Sequence, residues 1–209
     1  MKKFPLRRFL VMLLGLVVMS FGVTLFKLSA TGNDPCNGFG MALGARLGVD
    51  FSIVLLVSNC VWFALEFAFG RKYIGIGTFA NWFGVGPMAS LMIRAITPLV
   101  PQPLPLWLSA VLMVVGMLVL SLSVSLYQTP ALGTAPYDVM AMLLRDRCRL
   151  PYFWCRVLID SLFALAAWLL GGVVGLGTLV TALGLGPFIT FFNKHVSEKL
   201  CRVEGETHG

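Results

Sequence analysis

Two charged side chains stand four residues apart inside an otherwise apolar run: Arg156 and Asp160, within Phe153–Leu170. An ionisable group at bilayer depth is costly unless paired, so an acid there reads first as a proton or cation site. The same spacing puts both residues on one helix face, where the arginine simply neutralises the acid. Both readings stand on the sequence. Asn59 occupies the position 101 residues before Asp160. A second set of polar residues surrounds two prolines: Asn33, Asp34 and Asn37 around Pro35, and Thr134, Tyr137 and Asp138 around Pro136. A capping side chain followed by proline in the first turn marks a helix start. Helix starts offer unpaired N–H groups and a positive dipole end to anionic or strongly polar ligands. Transporters with broken helices build substrate sites from such ends, one from each half. The plain alternative is a pair of capped turns at the membrane surface.

The elements that hold these residues come in two sets. Gly75-Ile-Gly-Thr-Phe-Ala-Asn-Trp-Phe-Gly-Val-Gly-Pro87 returns as Gly175-Leu-Gly-Thr-Leu-Val-Thr-Ala-Leu-Gly-Leu-Gly-Pro187, shifted by 100 residues with six of thirteen positions identical. Upstream, Ser20, Ala30, Gly32, Pro35, Arg46 and Gly70 match Ser121, Ala131, Gly133, Pro136, Arg147 and Gly171 at a shift of 101. Asn37 is thereby the counterpart of Asp138. Gly75, Gly77, Thr78, Gly86 and Pro87, with Gly175, Gly177, Thr178, Gly186 and Pro187, are expected to let backbones approach closely or to serve as hinges, the prolines permitting a break within a span. No strand precedes them and no lysine follows, which makes a phosphate-binding loop a poor reading.

Apolar residues make up 58% of the chain and charged residues 12%, with a mean hydropathy of +0.88. A soluble domain carries about 25% charged residues. Four uncharged runs, Phe9–Phe26, Tyr73–Ile93, Leu104–Tyr127 and Val173–Phe192, approach or exceed the roughly 20 residues that cross a bilayer core. Two more, Phe51–Phe69 and Phe153–Leu170, are interrupted by Glu66 and by Arg156 with Asp160. The expected fold is an all-α integral membrane protein of six transmembrane helices plus two short, re-entrant or tilted helices, built as two internal repeats of about 100 residues. The first repeat covers 1–97, a proline-rich linker 98–105, the second repeat 106–193 and a polar tail 194–209. The short segments run from Asn33 to about Leu47 and from Thr134 to about Leu144. If they turn back, each half has three spans and the repeats are inverted; if they cross, there are eight spans and the repeats are parallel. Counting basic residues leaves the two equal.

The net charge of +7 sits at the ends of the spans: Lys2, Lys3, Arg7 and Arg8 before the first, Lys194, Lys199 and Arg202 after the last. This is a cytoplasmic-loop pattern, with both termini inside, rather than a nucleic-acid face. The N-terminus resembles a signal peptide, but its apolar run is the counterpart of Leu104–Tyr127 and is kept as the first span. Glu66, near Arg71 and Lys72, is expected to snorkel to the interface. The five cysteines, Cys36, Cys60, Cys148, Cys155 and Cys201, lack metal-ligand spacing, and both histidines, His195 and His208, lie in the tail. No catalytic motif is present. An enzyme, a cofactor and a metal are not expected.

The doubled Gly-x-x-Pro-x-[Asn/Asp], followed by Gly-x-Gly-Thr-x(5)-Gly-x-Gly-Pro, resembles the YitT/YczE family of bacterial membrane proteins over about Arg7 to Asn193. The resemblance implies a bacterial inner-membrane protein with transport as its expected activity, and it brings no substrate. Transport of a small polar molecule by a secondary transporter, with the site between the repeats, is the leading functional expectation. The other is a membrane-embedded accessory or scaffold protein that moves nothing. A polar cavity reaching the short-helix ends favours the first, and solid packing between the halves favours the second. The expected partners are the bilayer and a small-molecule substrate; homo-oligomerisation is left open.

Overall fold

The structure, a computed structural model, describes residues 6–32, 34–49, 51–100, 103–172 and 174–201. Its helices are α1 (Leu6–Leu28), α2 (Pro35–Leu47), α3 (Phe51–Phe69), α4 (Ile76–Ile96), α5 (Leu106–Gln128), α6 (Pro136–Cys148), α7 (Tyr152–Leu169) and α8 (Leu176–Phe192). Short 3-10 turns occupy Arg71–Tyr73 and Thr97–Leu99. Beyond α8 the chain continues as a π-helical stretch, Asn193–Ser197, and a last turn, Glu198–Cys201. The beginning of the polar tail is therefore helical, and Cys201 packs on Val11 and Leu126. No strand occurs among the described residues.

Among the described residues four helices are long and apolar enough to cross a membrane: α1, α5, α7, and α8 with its continuation to Cys201. Six were expected. α3 runs over 19 residues, Phe51–Phe69, with Ile53–Phe69 as an apolar stretch that carries Glu66. α4 has the length, 21 residues, but Thr78, Asn81 and its glycines dilute its hydropathy. The outward faces of the long helices carry Leu10, Leu14, Val17 and Phe21 on α1, and Leu158, Leu162, Leu165 and Trp168 on α7, all exposed. An all-helical chain with such faces satisfies its backbone internally and offers apolar side chains to lipid.

α1 and α5 lie against each other at the centre. Gly15, Gly22 and Phe26 of α1 meet Tyr127, Leu120 and Gly116 of α5 in turn, so the two helices are antiparallel. A Cβ on Gly15 would stand 2.7 Å from the Tyr127 amide nitrogen, and one on Gly116 3.0 Å from that of Phe26. Small residues are what let two membrane helices approach this closely. Buried hydroxyls at the same contact bond back into their own helices, Ser20 to the Leu16 carbonyl at 3.0 Å and Ser121 to that of Met117 at 2.8 Å. Met12, Leu16 and Met19 close the core with Met117, Val124, Leu185 and Ile189. α4 packs on α1, and α8 on α5.

The glycine-threonine segments tie one half of the chain to the other. The Gly77 amide donates to the Leu132 carbonyl at 2.9 Å, and the Gly177 amide to the Thr31 carbonyl at 3.1 Å. A Cβ on Gly75 would collide with the Leu132 carbonyl oxygen, and one on Gly175 with that of Thr31. The chain before each short helix is thus clamped by the start of a long helix from the other half. Backbone shape recurs as well: Ala30 and Ala131 take φ of 51° and 55°, and Gly48 and Arg149, which cap α2 and α6, take 66° and 56°. Pro87 and Pro187 do not interrupt their helices. Each removes one helical N–H without ending the rod, so no break appears where one was allowed for. A Cβ on Gly84 or Gly86 would meet nothing within 4 Å, whereas Gly186 lies against Phe153. Close packing therefore explains Gly186 and not Gly86.

Candidate functional site

Arg156 is the hub of the polar interior. Its Nε donates to Asp160 Oδ2 at 2.8 Å, as the spacing within α7 predicts, and its Nη1 is paired with Asp138 on α6. Tyr137 donates from its hydroxyl to Asp160 Oδ1 at 2.6 Å, and Tyr127, near the end of α5, donates to Asp138 Oδ2. The guanidinium carbon of Arg156 lies 5.2 Å from the Tyr137 ring centre. Exposure is 7% at Asp138, 5% at Arg156 and 0% at Asp160, so the group is closed to water. In their ordinary ionised forms two carboxylates face one guanidinium, which leaves one negative charge in excess. Buried ions persist only with such complete partnering, since desolvation costs several kcal/mol per ion (order of magnitude).

The short helices place these groups differently. Asp34 caps α2, accepting from the Asn37 amide at 3.1 Å and from Asn37 Nδ2 at 2.5 Å. Asn33 lies outside the described residues. In α6 the expected cap fails: the N-cap is Ala135, and no side chain caps the helix. Thr134 is turned away, with its hydroxyl 3.9 Å from the Met142 sulfur and its amide bonded to the Tyr73 carbonyl at 2.9 Å. Asp138 then has no capping task, because Tyr127 and Arg156 take its oxygens. Asn59 is half-buried on α3, apart from the cluster. Leu55 stands four residues before it where α7 has Arg156, so the first half has no charge to gather.

Glu66 corrects an expectation. It is fully buried rather than snorkelling, and neither carboxyl oxygen has a hydrogen-bond partner. Lys72, expected near it, instead meets Asp146 at the end of α6, Nζ to Oδ2 at 2.5 Å. Tyr73 donates to the same oxygen at 2.6 Å, and Arg145 donates to the Tyr73 hydroxyl at 3.0 Å. Hydrogen bonds from Lys72 and then Tyr73 hold the Asp146 carboxyl down at about 2.

Two polar cavities open beside this rim. One, about 270 Å³, is lined by Gln128, Thr129, Tyr152, Asn193 and Glu198; the other, about 290 Å³, by Lys72, Tyr73, Gln128 and Thr134. Arg145 and Met142 belong to both. Gln128 connects them to the ions, its Nε2 lying 3.4 Å from the Tyr127 hydroxyl. Sequence reasoning passed over Tyr127 and Gln128. Their counterparts 101 residues earlier are Phe26 and Lys27, so the repeat gives no sign of them.

Among the described residues no group of His, Cys, Asp and Glu is arranged to hold a metal ion. The cluster can bind or release a proton, or pair a polar or charged ligand group against Arg156 or the excess carboxylate.

A family described as a family of unknown function, DUF6198, matches residues 6–194. An uncharacterized protein of Haemophilus influenzae is 26% identical over 186 residues, covering 87% of this chain and 81% of its own. The uncharacterized membrane protein YczE of Bacillus subtilis is 25% identical over 178 residues, covering 85% and 81%. The uncharacterized protein YyaS of Bacillus subtilis is 23% identical over 198 residues, covering 89% and 94%. No solved structure matches the chain.

Proposed function

Because this chain belongs to the DUF6198 family and that family carries no assigned function, the reading must come from the chain's own geometry, and we propose that it is a secondary transporter of a small polar molecule. The observation that carries the proposal is the Asp138–Arg156–Asp160 cluster, buried where α6 and α7 meet and touched through Tyr127 and Gln128 by polar cavities. A protein with no need to move an ion or a polar group through its interior gains little by burying three charges there. In this reading the halves are inverted repeats of three crossings each, with α3 and α4 completing six spans. The antiparallel α1 and α5 support inversion, and so do the reciprocal clamps of Gly77 on Leu132 and Gly177 on Thr31. Equivalent helices of parallel repeats would run in the same direction.

The basic residues support the orientation. Lys72, Arg145, Arg147 and Arg149 gather at one end, and Cys201 brings the end of the helical tail beside Val11 near the start of α1. The positive-inside rule makes that end cytoplasmic, with both termini inside a bacterial inner membrane. The polar cavities then face the cytoplasm and stop at Gln128, whose Nε2 lies 3.4 Å from the Tyr127 hydroxyl of the cluster, as in an inward-facing carrier. Purified protein in liposomes, screened with metabolites and drugs under imposed proton and sodium gradients, tests the proposal. Uptake or efflux that Asp138→Asn abolishes in a folded protein is the expected result. A well-folded protein that moves nothing across such a screen is an accessory component instead.

A further inference from the structure

We propose that Glu66 and the cavity beside it form a binding site for lipophilic organic monocations, separate from the Asp138–Arg156–Asp160 cluster, in which the cation takes the place of a proton on the carboxyl group. Glu66 is fully buried with both oxygens unpartnered, and the indole nitrogen of Trp62, one turn earlier, is buried without a partner too. Trp62, Glu66 and Phe69 fall at i, i+4 and i+7, one stripe of α3. The two ends of that stripe, Trp62 and Phe69, line a cavity of about 590 Å³ whose far wall includes Met140, Leu143, Ile159 and Phe163. That volume is of the size that holds small organic ligands, roughly 300–1,000 Å³.

The charges around the site identify its occupant. A carboxyl group in an apolar interior needs a proton or a counter-cation. Among the described residues no side chain is bonded to it. Arg156 is committed to Asp138 and Asp160, and Lys72 is bound to Asp146 at 2.5 Å at the cavity rim, where Arg147 also lies. Arg71, on the turn after α3, donates to the Phe67 carbonyl and sits over the Phe67 ring. α2, also packed on α3, has no charged residue before Arg46. In this proposal the missing charge comes from outside the protein. Away from the charged rim of Lys72, Asp146 and Arg147 the walls are apolar and oppose a strongly hydrated ion, and no metal-holding group occurs among the described residues. Aromatic rings favour a diffuse cation; Phe163 supplies one, edge-on to Trp62 at 5.3 Å and to Tyr137 at 5.4 Å. Binding breaks the Glu66 O–H bond and sends the proton to water, and an ion pair forms with the ligand. No other bond changes. Ala167 stands at the corresponding position of the second half, so the site exists once.

Tetraphenylphosphonium is the probe, titrated into the purified full chain in nanodiscs, with heat and proton release followed in weak buffer. Saturable binding that releases protons and weakens as the pH falls is expected. Glu66→Gln should lose it by at least about tenfold. Asp160→Asn should keep it, which separates this site from the transport reading. Should Glu66→Gln fail to fold, Leu143→Trp fills the cavity, leaves the acid in place, and must lose binding as well. No binding to the folded wild type, binding unaffected by pH, equal binding by Glu66→Gln or Leu143→Trp, or loss in Asp160→Asn would each overturn the proposal.

Discussion

Arg156 shows how far one residue can organise an interior. Its bond to Asp160 was legible from a spacing of four on a helix, but its bond to Asp138 was not, because that partner lies on the preceding helix across a turn. Both acids depend on it. Arg156→Gln should therefore lower stability by about 3–5 kcal/mol, the scale for leaving buried charge unpaired. Adding Asp160→Asn should recover part of the loss and leave Asp138 as the remaining unpaired acid. Thermal unfolding of both variants and of Asp160→Asn alone, in one detergent, gives the cycle, and strict additivity would contradict the shared network. If Asp160 is also the coupling acid of the proposed transport, Asp160→Asn abolishes gradient-driven flux in a folded protein; flux restored by the neutral pair would remove that role. Tyr127→Phe takes away the hydroxyl that donates to Asp138, at a cost of about 1–3 kcal/mol. That residue was invisible in the sequence, since a tyrosine ending an apolar helix reads as an interface anchor.

Among the elements, the short helices were the most legible and their caps the least. Pro35 and Pro136 announced both starts, and each helix begins at its proline. Thr134 was misplaced because tertiary contacts, its amide to Tyr73 and its hydroxyl toward Met142, outweigh local capping preference. The glycine-threonine segments were read as packing or hinge elements, and the collisions separate the positions. Gly75→Ala and Gly175→Ala should cost more than the roughly 1–3 kcal/mol of ordinary overpacking, because the obstacle is a carbonyl and not a flexible side chain. Gly84→Ala meets open space and should be neutral or slightly stabilising, as alanine suits a helix better. Equal behaviour of the three variants in thermal melts would refute the clamp. At the rim, Asp146 is held at about 2 against an ordinary value near 3.9. Its folded value is depressed, so its contribution is complete above about pH 4 and fades as the pH falls toward 2. Asp146→Asn should flatten that part of the stability profile, and an unchanged profile would show the Lys72 contact to be inert.

For the whole molecule, the internal doubling and the apolar runs could be read directly, whereas the relative direction of the halves could not. Basic residues gave equal counts for both arrangements, and the order of the α1–α5 contacts, with the reciprocal clamps, is what supports the proposed inversion. The two halves also differ in what surrounds their clamped loops. Gln128, Gly133 and Thr134 line polar cavities at the basic end. On the first half, Thr31 is half-buried and engaged: its hydroxyl meets Ser29 at 2.9 Å, and its carbonyl accepts from Gly177. Inverted repeats that exchange these two environments would open the opposite side, which is how such transporters alternate access. In a background with the five native cysteines replaced, Thr134→Cys should react with a membrane-impermeant maleimide in inside-out vesicles and resist it in intact spheroplasts. Thr31→Cys should resist it from both sides at rest and become reactive from the outside once a transported molecule and its gradient are supplied. Labelling of Thr134→Cys from the outside at rest would reverse the orientation. Thr31→Cys that stays silent during measured flux would leave the protein without the exchange of states that inverted repeats provide.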